Sequence, residues 1–112
     1  MPGYAHLVQR LREAVLDGAG TTSPRLRRAV ASRSAELGGG PVPAAGEIPA
    51  DLCAYVETIA RHAYRVSDED VDALRRAGWS EDAIFEVSIS AALGAGFARL
   101  ERGLAALRES RP

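Results

Sequence analysis

Hydrophobic positions recur roughly every three to four residues over most of this chain, a spacing that predicts helices. Over residues 4–17, Leu7, Leu11, Ala14 and Val15 form one apolar stripe, and Gly18 supplies a stop signal. Ser23 and Pro24 read as an N-cap and a first-turn proline, after which Leu26, Ala29, Val30, Arg33 and Leu37 continue at helical spacing. A third helix is expected from about Pro49 to Arg65, with Leu52, Val56, Ile59, Ala60 and Ala63 as its buried stripe and Cys53, Glu57 and Tyr64 beside it. Ser67, followed by Asp68, Glu69 and Asp70, opens a short fourth helix with carboxylates at the positive end of its dipole. Arg75 and Arg76 lie at the other end, and Gly78 closes it.

Ser80, Glu81 and Asp82 open a last helix expected to reach about Arg108, roughly 42 Å at 1.5 Å per residue. Phe85, Ile89, Leu93, Leu100, Leu104 and Leu107 define its apolar side. The run Ala91, Ala92, Gly94, Ala95, Gly96 and Ala98 is small on nearly every face and invites close helix packing. No segment alternates long enough to make a strand, and no repeat recurs at a fixed period. The expectation is an all-α fold, a small bundle of about five helices in a single domain over 1–112. Within it lie an N-terminal helical pair at 1–37, a Gly/Pro linker at 38–48 and a helical core at 49–112.

Composition removes whole reaction classes. All 14 basic residues of the 112-residue chain are arginine, which excludes a Schiff-base or phosphate-loop lysine. With Cys53 alone there is no intramolecular disulfide, Cys-x-x-Cys pair or multi-cysteine zinc site. A net charge of −1 argues against a nucleic-acid partner. No continuous apolar run reaches ~18 residues and no signal peptide opens the chain, so a cytoplasmic protein without a membrane partner is expected. A core this thin gains from oligomerisation, so a second copy is the expected partner, with the last and third helices packing across subunits.

Among residues with chemistry to offer, Cys53 reads first as a small buried hydrophobe, since Glu57 one turn on has the wrong sign to stabilise a thiolate. His62 is a general acid–base candidate, with Glu57, Asp51, Tyr64 or Asp70 as neighbours, or else a structural histidine. No metal or cofactor is expected: His6 and His62 are the only imidazoles and have no ligand spacing. The acidic run 68–72 reads as helix capping, and Gly94-Ala95-Gly96 follows no strand. Trp79, between a helix stop and a helix start, is expected to plug the corner.

The stretch from Ala60 through Gly78-Trp79-Ser80-Glu81-Asp82-Ala83-Ile84 to Leu93 resembles the carboxymuconolactone decarboxylase and alkylhydroperoxidase D-like family, over roughly Pro49 to Leu107. The resemblance implies an all-α fold that assembles into symmetric oligomers. In that family a Cys-x-x-Cys pair, a histidine four residues later and an upstream glutamate carry the redox chemistry. Aligned on Gly78-Trp79-Ser80, the cysteine positions hold Ala63 and Val66, the histidine position holds Asp70, and the upstream acid falls near Asp51. Tyr64 matches the aromatic between the cysteines. A dithiol mechanism needs an attacking thiolate and a resolving thiol, so that route is closed within one subunit.

The expected function is therefore a member of this family without its redox pair, serving as an oligomeric binding, structural or regulatory module rather than a peroxidase. A small-molecule ligand is a further expectation. The alternatives are a non-thiol enzyme using lactone decarboxylase-like acid–base chemistry at His62 with Glu57 and Tyr64, or a one-cysteine peroxidase using Cys53.

Overall fold

The structure, a computed structural model, describes residues 2–38 and 47–109. Most of the linker expected at 38–48 lies outside the described residues. Five helices follow one another: α1 (Pro2–Asp17), α2 (Pro24–Leu37), α3 (Ala50–His62), α4 (Asp68–Arg76) and α5 (Glu81–Glu109), with a 3₁₀ turn at Ala63–Arg65 between α3 and α4. Every regular element among the described residues is helical.

Local chemistry sets several of the helix ends. The Ser23 hydroxyl accepts from the Leu26 N–H at 3.1 Å, and Pro24 occupies the first helical position of α2. Ser67 and Asp70 form a capping box: the Ser67 hydroxyl accepts from the Asp70 N–H at 3.3 Å, and Asp70 Oδ2 accepts from the Ser67 N–H at 3.0 Å. α4 ends in a Schellman arrangement, with the Trp79 N–H donating to the Leu74 carbonyl and the Gly78 N–H to that of Arg75. That turn requires φ +105° at Gly78, a conformation a side chain would strain. The third helix stops three residues earlier than its periodicity predicts. At His62 (φ −148°, ψ 68°) the chain leaves the helix, and the 3₁₀ turn then delivers Val66 against the core.

α5 carries the bundle. α2 runs beside it in the same direction: Thr22 bonds Glu86, Ala31 abuts Gly94, and Gly38 lies against Ala95 and Ala98. A β-carbon built on Gly94 would stand 2.1 Å from the Ala31 carbonyl oxygen, so the two backbones touch with no room for a side chain. α3 closes the other side. Val30 of α2 shares one cluster with Leu52, Tyr55, Val56 and Ile59 of α3, Leu74 of α4, and Ile84, Val87 and Ala91 of α5. The Tyr55 hydroxyl and Ser88 Oγ hydrogen-bond at 2.6 Å, and the Arg99 guanidinium donates to the Ala60 carbonyl.

The faces differ from those the periodicity suggests. α5 buries Ala83, Ile84, Val87, Ser90, Ala91, Gly94, Ala95 and Ala98, whereas Phe85 and Leu107 of its large-residue side are each 63% exposed. Leu7 and Leu11 of α1 are exposed as well. α2 is rotated so that Arg27, Ala29, Val30, Ala31 and Ser34 are buried, with Leu26, Arg33 and Leu37 half-buried. The physical reason is common to α2 and α5: their contact is made by the smallest residues, because those let the backbones approach most closely. α3 buries Leu52, Val56, Ile59 and Ala60 as expected, but Ala63 is exposed.

α5 is long and apolar enough to cross a membrane by length and composition, although Glu86 and Arg99 interrupt it. Within its apolar window 44% of the residues are buried in the bundle.

Candidate functional site

The residues with redox or acid–base chemistry do not converge. Cys53 is exposed rather than buried, because it lies one position past Leu52 and so off the packed stripe. Its thiol is 3.6 and 3.7 Å from the Pro49 and Ile48 carbonyl oxygens. Glu57 points to α2, where its carboxylate accepts from Arg33 at 3.1 Å, and Arg33 also pairs with Glu36 at 3.2 Å. Glu57 first, then Glu36, raise the Arg33 guanidinium further above its ordinary value. His62 and Tyr64 do meet edge-to-face at 5.8 Å, with Arg65 over the Tyr64 ring, but both are exposed. Cys53 and His62 stand nine residues apart on α3, roughly 13 Å along its axis, so they cannot share a substrate atom.

Family-aligned positions have structural work instead. Asp70 is the capping-box carboxylate, Val66 packs on the core, Ala63 is exposed in the 3₁₀ turn, and Asp51 accepts from the Trp79 indole N–H at 2.7 Å. Trp79 thus plugs the α4–α5 corner and ties it to the start of α3.

What the fold does bring together is a polar latch between segments more than sixty residues apart. Glu86 accepts from the Thr21 N–H at 2.7 Å, the Thr22 N–H at 2.8 Å and the Thr22 hydroxyl at 2.5 Å. Arg27, only 3% exposed, donates to the carbonyls of Val15 at 2.8 Å, Gly18 at 2.7 Å and Thr22 at 3.2 Å, with its Nε 4.0 Å from Glu86. One arginine therefore fastens the end of α1 and the α1–α2 turn to α2 and α5. Two signals were available: Glu86 is an acid inside an apolar helix, and Arg27 shares a face with Val30, Ala31 and Ser34.

Burial raises the Glu86 carboxyl, but the bonds from Thr22 and Thr21, with Arg27 nearby, outweigh it and hold the group below its ordinary value. A carboxylate lowered on folding stabilises the fold above its unfolded pKa of about 4.3, and that contribution disappears as pH falls through the folded value. Urea midpoints are accordingly expected to fall between about pH 5 and pH 3 more steeply in the wild type than in Glu86→Gln. Equal slopes would show that Glu86 does not titrate with folding.

Hollows lie along α1 and α5. The two helices run antiparallel: Val15 lines a space of about 170 Å³ with Phe85 and Ile89, and Arg12 sits over the Phe97 ring at 5.3 Å. Further along, Val8 faces Leu100 and Leu104 across a cleft of about 530 Å³. A third hollow, about 290 Å³, separates Ser32 and Ala35 of α2 from Leu93 and Phe97. None of the three is lined by Cys53, Glu57, His62 or Tyr64.

Fold and surface together define an all-helical bundle whose exposed apolar face is borne by α1 and α5. Comparison with protein-family models, curated proteins and solved structures finds no match to this chain in any of the three.

Proposed function

We propose that this chain is a non-enzymatic binding or structural module, built on a scaffold of the alkylhydroperoxidase D-like type that lacks the redox pair, and that the α1/α5 face is its working surface. The observation that carries this is the exposure of Leu7, Leu11, Phe85, Leu100 and Leu107 on one pair of helices, a concentration that marks interaction sites on small proteins. The Gly78 turn that leads into the long small-residue α5 supports the scaffold, since both lie in the stretch that carries the resemblance. The exposed positions of Cys53 and His62, and the engagement of Glu57 by Arg33, favour a module over a thiol or acid–base enzyme.

Hydroperoxide consumption with a dithiol reductant tests this. Turnover at the uncatalysed rate, unchanged by Cys53→Ala, is expected. Sustained turnover abolished by Cys53→Ala would replace the module with a one-cysteine peroxidase.

A further inference from the structure

We infer that the occupant of the α1/α5 face is a second copy of this chain, docked antiparallel through α5 about a twofold axis at Gly96. The outward stripe of α5 is Phe85, Ile89, Ala92, Gly96, Leu100, Gly103 and Leu107, with spacings of four, three, four, four, three and four residues. No charged residue interrupts it. This pairing rests on the face being the chain's working surface.

The order of bulk along the stripe is what selects a second copy. A twofold contact must be self-complementary: whatever residue i touches, its counterpart touches in return. The spacings read the same from either end, so an antiparallel copy centred on Gly96 superposes the stripe on itself. Gly96 then meets Gly96, Ala92 meets Leu100, Ile89 meets Gly103 and Phe85 meets Leu107. At the two levels flanking the axis a large side chain of one copy faces a small residue of the other, which is how two helices interdigitate.

The glycines supply an independent observation. Gly94 is required inside the chain, since a β-carbon there strikes Ala31. Gly96 and Gly103 are not: a β-carbon at either meets nothing within 4 Å. Each weakens an exposed helix interior by about 1 kcal/mol relative to alanine, with no return within the monomer. Seven residues apart, they fall on the same stripe, and close approach of a second backbone accounts for both. Leu11 and Leu7 extend the surface, lying one and two turns from Val15, which borders Phe85 and Ile89. Two adjacent helices give a face of roughly 33 by 20 Å, on the scale of the ~800 Å² per partner of a stable dimer.

Light scattering of the full chain at micromolar concentration is expected to report a species of twice 11.9 kDa. Gly96→Glu places two carboxylates face to face on the axis and should weaken association roughly 100-fold, with helical circular dichroism unchanged because the site is open in the monomer. Ala73→Glu, on the exposed surface of α4, should leave association unaltered. The register has its own readout: Ala92→Leu weakens the dimer, and adding Leu100→Ala restores it, since these two positions face one another across the axis. A monomer at these concentrations, a dimer indifferent to Gly96→Glu, or no rescue by the double variant overturns the pairing. So does a monomer that instead sediments with phosphatidylcholine–phosphatidylglycerol vesicles through the same residues. Hydroperoxide turnover would overturn the module reading while leaving the pairing intact, so the two failures are distinguishable.

Discussion

Gly94→Ala is expected to destabilise the fold by about 3 kcal/mol, although alanine is the better helix former by about 1 kcal/mol. The added β-carbon lands 2.1 Å from the Ala31 oxygen and 2.8 and 2.9 Å from its carbonyl carbon and Cα, all backbone atoms that no side-chain rotation can move aside. α2 and α5 must separate. The fully buried Val30, Ser34, Val87, Ser90 and Ala91 then lose their packing together. For a chain of this length the loss corresponds to a fall of roughly 15 °C in Tm. Gly96→Ala, two residues on, meets nothing and should stabilise the dilute monomer by up to about 1 kcal/mol. Denaturation of both variants below the association range checks the contrast. Equal effects would show that α2 does not lie against Gly94.

Arg27→Met has the second large effect, an expected loss of about 3–5 kcal/mol. The guanidinium satisfies carbonyls of Val15, Gly18 and Thr22 and lies beside Glu86, so its removal strands one buried and two partly buried acceptors and a partly buried carboxylate at once. Arg27→Lys should recover little, because one ammonium cannot reproduce the planar fork that reaches these carbonyls. Two measurements separate this from a general loss of packing. Hydrogen exchange should show protection lost first at the C-terminal end of α1, which Arg27 fastens. In a Glu86→Gln background the cost of Arg27→Met should shrink, since no partly buried charge is then left without its counterion.

Much of the helical framework was legible in the residues. Ser23-Pro24, the Ser67/Asp70 box, the Gly78 stop and the Ser80 start are local signals whose chemistry is completed within a few residues, and each marks a helix end in the structure. Trp79 as a corner plug was legible for the same reason. Its Asp51 partner, 28 residues away, was not. The helical period of α1, α2 and α5 shows which residues share a side, not which side turns inward, whereas the close packing invited by the small run of α5 is found at Gly94 and Ala31. Size was a poor guide here: Gly94 and Ala31 are more deeply enclosed than Phe85 or Leu7. Cys53 was misplaced by the same limitation, a small apolar residue one position off the packed stripe.

The sequence by itself determined that this is an all-helical chain, where its helices begin, and that lysine chemistry, an intramolecular disulfide and a thiol pair within one subunit are closed to it. Periodicity, capping and composition are properties of neighbouring residues, and they need no tertiary contact to be read. Only the tertiary structure decided that the small side of α5 packs inside and its large side remains outside, that Arg27 and Glu86 latch α1 and α2 to α5, and that Glu57 is engaged by Arg33 of α2. Each of those depends on how closely two distant backbones approach, a distance set by the whole bundle rather than by any one segment.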